Sequence, residues 1–179
     1  MIKKVLLVLI AIVIVFAIVV ALQPSEIRVV RTTTIAAPPA AVFAQVNDLH
    51  KWDAWSPWAK LDPAAKMGFE GAAAGPGAVF TWSGNDEVGE GRMTLAESRP
   101  DEYIKLDVAF TRPMAGNSTS EFAFKPEGNQ TAVTWTTSSH NNFIGKAFCL
   151  FFDIEKTLGG QLEKGLAQLK SVAEQAAAG

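Results

Sequence analysis

Hydrophobic positions follow three rhythms along this chain. Residues 5–22, VLLVLIAIVIVFAIVVAL, are apolar throughout, with no charge, glycine or proline. As a helix rising about 1.5 Å per residue, such a run spans roughly 27 Å, close to the thickness of a bilayer's hydrocarbon core. From Glu26 to about Ser139 the pattern alternates in twos. EIRVVRTTTI (26–35) sets Ile27, Val29 and Ile35 on one parity, which predicts a half-buried strand. A weak run at KMGFEG (66–71) precedes stronger ones at AVFTWSG (78–84), GEGRMTLAESR (89–99), DEYIKLDVAFT (101–111), STSEFAFK (118–125) and QTAVTWTTSS (130–139). Pro100-Asp101 and Glu127-Gly128-Asn129 read as tight hairpin connections. Consecutive strands so joined form an antiparallel meander.

The third rhythm begins at Asp153. DIEKTLGGQLEKGLAQLKSVAEQ sets Ile154, Leu158, Leu162, Leu166, Leu169 and Val172 three and four apart, which predicts a long amphipathic helix. Gly159, Gly160 and Gly165 are unfavourable inside it, each costing roughly 0.5–1 kcal/mol against alanine. Two readings fit them: a kink, or a close crossing over the sheet. A shorter helix is predicted after Pro38-Pro39, where Val42, Phe43 and Val46 recur at helical spacing, and LHKW predicts a second short turn. The expected architecture is α+β: strand, two short helices, six strands, and a long helix covering one face of the sheet.

Lys3 and Lys4 precede the apolar run and no comparable run follows. The positive-inside rule puts the N-terminus in the cytoplasm and everything after Gln23 on the far side. Two fates are open: cleavage as a signal peptide after Ala21, or retention as a signal-anchor. The length of the run and the missing polar region before Ala21 favour the anchor. The expected division is an anchor at 1–23 and one domain at 24–179. The expected place is a bacterial inner membrane, single-pass, with the soluble domain on the periplasmic side.

Without Lys3 and Lys4, 14 basic residues stand against 18 acidic ones, about −4 for the domain. With no basic run or arginine stripe, nucleic acid is an unsuitable partner. The one cysteine, Cys149, excludes an intramolecular disulfide and, within AFCLFF, reads as a packed small hydrophobe. GAAAGPG (71–77) lacks the ending of a phosphate loop and reads as a flexible connection or lid. Two distant histidines and one cysteine make no metal cluster, and no cofactor is expected.

WDAWSPW (52–58) concentrates three of the five tryptophans in a turn. Together with the proline-started helix before it, IAAPPAAVFAQVNDLHKWDAWSPW, and the closing DIEKTLGGQLEKGLAQLKSVAE, it resembles the START-like or Bet v1-like superfamily. Within that superfamily the chain is most similar to the SRPBCC group called polyketide cyclase/dehydrase, over about residues 26–174. The resemblance implies a helix-grip fold, an antiparallel sheet wrapped around a long C-terminal helix, with a cavity between them. It also places Trp52, Trp55 and Trp58 near the cavity mouth. A scaffold role for these rings stands beside that reading, since tryptophan often braces a core. If Trp52 or Trp135 serves binding, alanine there weakens binding more than stability; equal losses mark scaffold.

Strand parity sorts the remaining candidates. The inward set is Phe80, Trp82, Met93, Leu95, Ile104, Leu106, Val108, Phe110, Phe122, Phe124, Val133 and Trp135, all apolar. Lys105, Asp107 and Glu121 fall on the opposite parity and read as a solvated face. The expected ligand contacts are Trp52, Trp55, Trp58, Phe80, Trp82, Met93, Leu106, Val108, Phe110, Phe122, Phe124 and Trp135. Arg92, if a strand irregularity near Gly89 or Gly91 swung it inside, and His140 are the candidate polar anchors. No catalytic constellation is identifiable. The leading reading is a membrane-anchored module binding a hydrophobic small molecule or lipid-like ligand. The alternatives are a cyclase or dehydratase engaging Arg92, His140 or Glu90, and an envelope protein-interaction domain.

Overall fold

In the computed structural model, which describes residues 2–178, α1 (Ile2–Leu22) leads into a single seven-stranded sheet. The strands are β1 (Glu26–Ile35), β2 (Lys66–Gly71), β3 (Ala78–Ser83), β4 (Glu90–Arg99), β5 (Tyr103–Arg112), β6 (Gly116–Glu127) and β7 (Gln130–His140). Between β1 and β2 lie α2 (Pro39–Asn47) and a 3-10 turn at Leu49–Ala54; α3 (Phe143–Cys149) and α4 (Ile154–Ala178) follow β7. Strand order is β1-β7-β6-β5-β4-β3-β2, every pair antiparallel. The meander from β2 to β7 therefore returns the chain to β1, and β1 and β2 become the two edges. The hairpins turn where left-handed backbone is required, at Asp101 and Gly128.

Register assigns one face to the interior. Phe69, Phe80, Met93, Val108, Ser118, Ser139 and Ile27 form one row across all seven strands. A second row runs Ile104, Phe122, Trp135, Arg31. α4 lies over this face chiefly along β1, α2 and the tryptophan turn, burying Leu162, Leu166 and Leu169. Burying each such leucine contributes about 1.5–3 kcal/mol. The loop at 72–77, read as a flexible connection, is stitched down. Gly75 N–H donates to Asn47 O (3.1 Å) and Gly77 N–H to Leu95 O (2.9 Å). The alternating pattern ended the strands at Ser139 and left α3 unseparated; it is a single short helix capped by Asn142, whose side chain accepts from Gly145 N–H.

The helix glycines divide by position. A Cβ at Gly165 would lie 2.6 Å from Trp135 Cζ3 and 3.0 Å from Pro57 Cδ, and one at Gly159 would meet the Arg31 guanidinium. Both mark a close crossing rather than a kink. Nothing lies within 4 Å of a Cβ at Gly160, and no contact explains glycine there. Gly165→Ala is therefore expected to destabilise the fold by about 1–3 kcal/mol through overpacking against two rigid rings. Gly160→Ala is expected to stabilise it by roughly 0.5–1 kcal/mol. Thermal unfolding of the two variants side by side checks both signs.

Candidate functional site

The tryptophan turn enters the interior. Trp55 is fully buried and Trp52 nearly so, while Trp58 is half-buried. Their neighbours are Phe122 and Trp135: Trp55 meets Trp135 edge-on at 5.8 Å, Trp58 meets it at 6.0 Å, and Phe122 stacks on it at 4.7 Å. Every indole N–H among the buried rings has an acceptor. Trp52 donates to Val46 O (2.9 Å), Trp55 to Gln45 O (3.1 Å) and Trp135 to Ser120 Oγ (2.6 Å). Val46 and Gln45 lie in the last turn of α2, where carbonyls have no intrahelical partner. The turn thus caps α2 and fills the space under the middle of α4.

Beside that plug, the inner face of β2 to β5 carries an aromatic ladder. His50 stacks on Phe69 at 4.0 Å, Phe69 meets Phe80 at 5.3 Å, Phe80 stacks on Trp82 at 5.9 Å, and Trp82 meets Phe110 edge-on at 5.6 Å. Trp82 lies flat across Gly91, where a Cβ would come within 2.5 Å of its ring, and its N–H donates to Val88 O (3.0 Å). Phe80, Trp82 and Val108 are half-buried, and Met67, Phe69 and Phe110 are exposed. Since α4 packs chiefly over β1, this wall is left open along one side. The loop at 55–65 frames it. Pro57 rests against Gly165 on α4, and Asp62 accepts from Asn85 N–H (2.7 Å) in the β3–β4 turn. The open end of the ladder is the end of the sheet where β1 begins, next to the C-terminal end of α1.

The expected ligand contacts separate into two groups here. Trp52, Trp55, Met93, Leu106, Phe122, Phe124 and Trp135 are buried core. Phe80, Trp82, Val108 and Phe110 belong to the accessible wall, while Trp58 is half-buried against Trp135. Arg92 lies on the outer face of the sheet, within 3.5 Å of Glu70, and the bulge between Glu90 and Gly91 does not turn it inward. His140 is exposed at the end of β7, opposite Glu26. Arg92 and His140 both line a recess of about 460 Å³ on that outer face, with Asp107, Thr119 and Ser138.

Arg31, absent from the inward set read from the sequence, shares the parity of Ile27, Val29 and Ile35 and brings an ionised group to the inner face. Its Nη2 bonds Glu155 (2.8 Å) and its Nε bonds Glu163 (2.6 Å), both on α4. Those two carboxylates raise its pKa further, so it stays charged. Glu90 lies at the mouth end of β4 but is engaged. Ser83 Oγ and Thr111 Oγ1 donate to it (2.8 and 3.0 Å), and with Arg112 nearby they hold its carboxyl below the usual carboxylate range. On the outer face the Tyr103 hydroxyl donates to Glu121; partial burial and that carboxylate raise its pKa, so it stays protonated. Among the described residues no three His, Cys, Asp or Glu side chains gather as a metal site.

Because Glu90 is bound in its ionised form, its contribution to stability is present above the unfolded carboxylate pKa of about 4.3 and lost as pH falls through the lower folded value. Glu90→Gln is thus expected to lower the Tm at pH 7 and to converge with the parent protein in acid. Melting curves from pH 7 down to pH 3 test this; a constant difference across the range would contradict it.

A seven-stranded antiparallel sheet gripping a long C-terminal helix, with two short helices after the first strand, defines the Bet v1-like helix-grip class. The profile of the family described as polyketide cyclase / dehydrase and lipid transport matches residues 26–174, and the chain belongs to that family. Among solved structures it is similar to protein TTHA0849 from Thermus thermophilus, at 17% identity and a TM-score of 0.62, covering 84% of this chain and 99% of the other. It is also similar to the Aha1 dimer from Colwellia psychrerythraea, at 16% identity and a TM-score of 0.59 over 83% and 96% of the two chains. The di-domain ARO/CYC StfQ from the steffimycin biosynthetic pathway matches at 11% identity and a TM-score of 0.64, over 86% of this chain and 52% of that one. At these identities the likenesses establish the fold. No curated protein matches the sequence.

Proposed function

We propose that this is a membrane-anchored binding module that holds a hydrophobic small molecule or lipid-like ligand against the wall formed by Phe69, Phe80, Trp82 and Phe110. One observation carries the reading: a continuous aromatic surface on the inner face of the sheet that α4 leaves uncovered. Apolar area removed from water there contributes about 25 cal/mol per Å², and the surface offers few polar groups to demand a particular headgroup. The family's association with lipid transport supports the same class of cargo. α1 is long and apolar enough to cross a membrane, and Lys3 and Lys4 before it favour an extracytoplasmic domain. In a bacterial cell that is the periplasmic side of the inner membrane. Poorly soluble ligands concentrate at such a bilayer.

Turnover of a polyketide-like substrate is the second reading, supported by the same family description. It would have to recruit Arg31 with Glu155 and Glu163, the ionised groups on or facing the inner side, and these already satisfy one another.

The test is native mass spectrometry of the detergent-solubilised full chain, followed by organic extraction. A stoichiometric apolar molecule retained by the parent protein and lost from Trp82→Ala is the expected result. Equal retention by both proteins would remove the wall from the account.

A further inference from the structure

The ten residues FIGKAFCLFF (143–152), covering α3 and the link to α4, expose six large apolar side chains: Phe143, Ile144, Phe148, Leu150, Phe151 and Phe152. Phe151 is 73% exposed and Ile144 66% exposed. Between His140 and Asp153 the single charge is Lys146. Polar caps bracket the segment, Asn142 at the start of α3 and Asp153, which accepts from Lys156 N–H (2.9 Å), at the start of α4. An exposed apolar surface this concentrated marks a contact with something other than water.

Its neighbour identifies the contact. α3 packs beside α1, and the Phe151 ring lies 6.4 Å from that of Phe16. Phe16 precedes the end of α1 at Leu22 by six residues, about 9 Å along the helix axis. Lys146 Nζ donates to Ala21 O (3.3 Å), in the last turn of the same helix. With α1 across a bilayer, Lys146 falls at the headgroups, where lysine extends to water, and Phe151 falls well inside the hydrocarbon. That depth matches the ~5–10 Å to which interfacial helices sink.

We propose that residues 143–152 insert into the leaflet next to the domain, as a second membrane contact beside α1, and hold the open end of the aromatic wall against the lipid. The inference rests on α1 being a membrane span. Register puts the β5–β6 turn, with exposed Met114, at the same end of the sheet. The wall between Phe110 and Trp82 then faces the bilayer, and a ligand passes from leaflet to wall without crossing water.

The experiment uses the full chain with Cys149→Ser, so that each introduced cysteine is unique. It is reconstituted in phosphatidylethanolamine/phosphatidylglycerol vesicles containing doxyl-labelled acyl chains. An NBD fluorophore is placed at Phe151→Cys or, independently, Phe152→Cys. Ile10→Cys reports on α1, and Glu127→Cys reports on the hairpin at the far end of the sheet. Expected are blue-shifted emission at 151 and 152 and doxyl quenching about two-fold or more above that at 127, with position 10 quenched as well. Quenching at 10 combined with iodide access at 151 and 152 would overturn the insertion and leave the anchor standing. An unquenched label at 10 would overturn both. Labels at 151 and 152 shielded from doxyl and iodide alike would also overturn it, in favour of a protein surface, a second copy or another partner.

Discussion

Trp135→Ala will lower folding stability by about 3–5 kcal/mol, the range for truncating a fully buried tryptophan. The side chain is 1% exposed and touches Trp52, Trp55, Trp58 and Phe122, so its removal empties the centre of the space beneath α4. It also leaves the buried Ser120 hydroxyl without its indole donor, and a buried polar group left unpaired costs about 1–3 kcal/mol by itself. The neighbours cannot close the gap, because Trp55 is tied to Gln45 O and Gly165 already sits against the ring's edge. Chemical denaturation of the full chain in detergent, followed by far-ultraviolet circular dichroism, measures the loss. A cost under about 1 kcal/mol would mean that the ring does not fill the core.

Trp82→Ala and Phe110→Ala carry the second large effect, on binding. Both side chains belong to the ladder, and Phe110 is 38% exposed with room for a ligand to cover it. Covering such a ring is worth about 1.5–3 kcal/mol, which corresponds to a roughly 10- to 100-fold weaker Kd when it is removed. Phe110→Ala should do this with little change in stability, since the exposed ring contributes little to the folded core. Trp82→Ala will add a modest stability loss through its bond to Val88 O and its contact with Gly91. Titration with a fluorescent fatty acid, compared with melting temperatures, separates the two. A Kd unchanged in both variants would place the ligand elsewhere.

The helices and strands were legible because their periods differ so sharply. The alternation of Ile104, Leu106, Val108 and Phe110 named the inner face of β5, and the spacing of Leu158, Leu162, Leu166 and Leu169 named the buried face of α4. The inward set read from the sequence lacks Arg31, because an arginine amid apolar residues is assigned to solvent until its partners are seen. Those partners, Glu155 and Glu163, lie more than a hundred residues away. The roles of the tryptophans were not legible for a similar reason. Whether Trp52 and Trp55 plug the core or border an opening depends on where the turn enters relative to Phe122 and Trp135, and spacing within the turn carries no such information. α3 was hidden in an apolar run with no period long enough to register.

Photocrosslinking tests the binding wall most directly. The full chain in lipid vesicles is incubated with a diazirine fatty acid, irradiated, and the modified peptides are sequenced by mass spectrometry. Label on Phe69, Phe80, Trp82 or Phe110, displaced by unlabelled fatty acid, is the expected outcome. Displaceable label confined to the outer recess around Arg92 and His140, or label on α1 alone, would contradict a ligand held on the inner face.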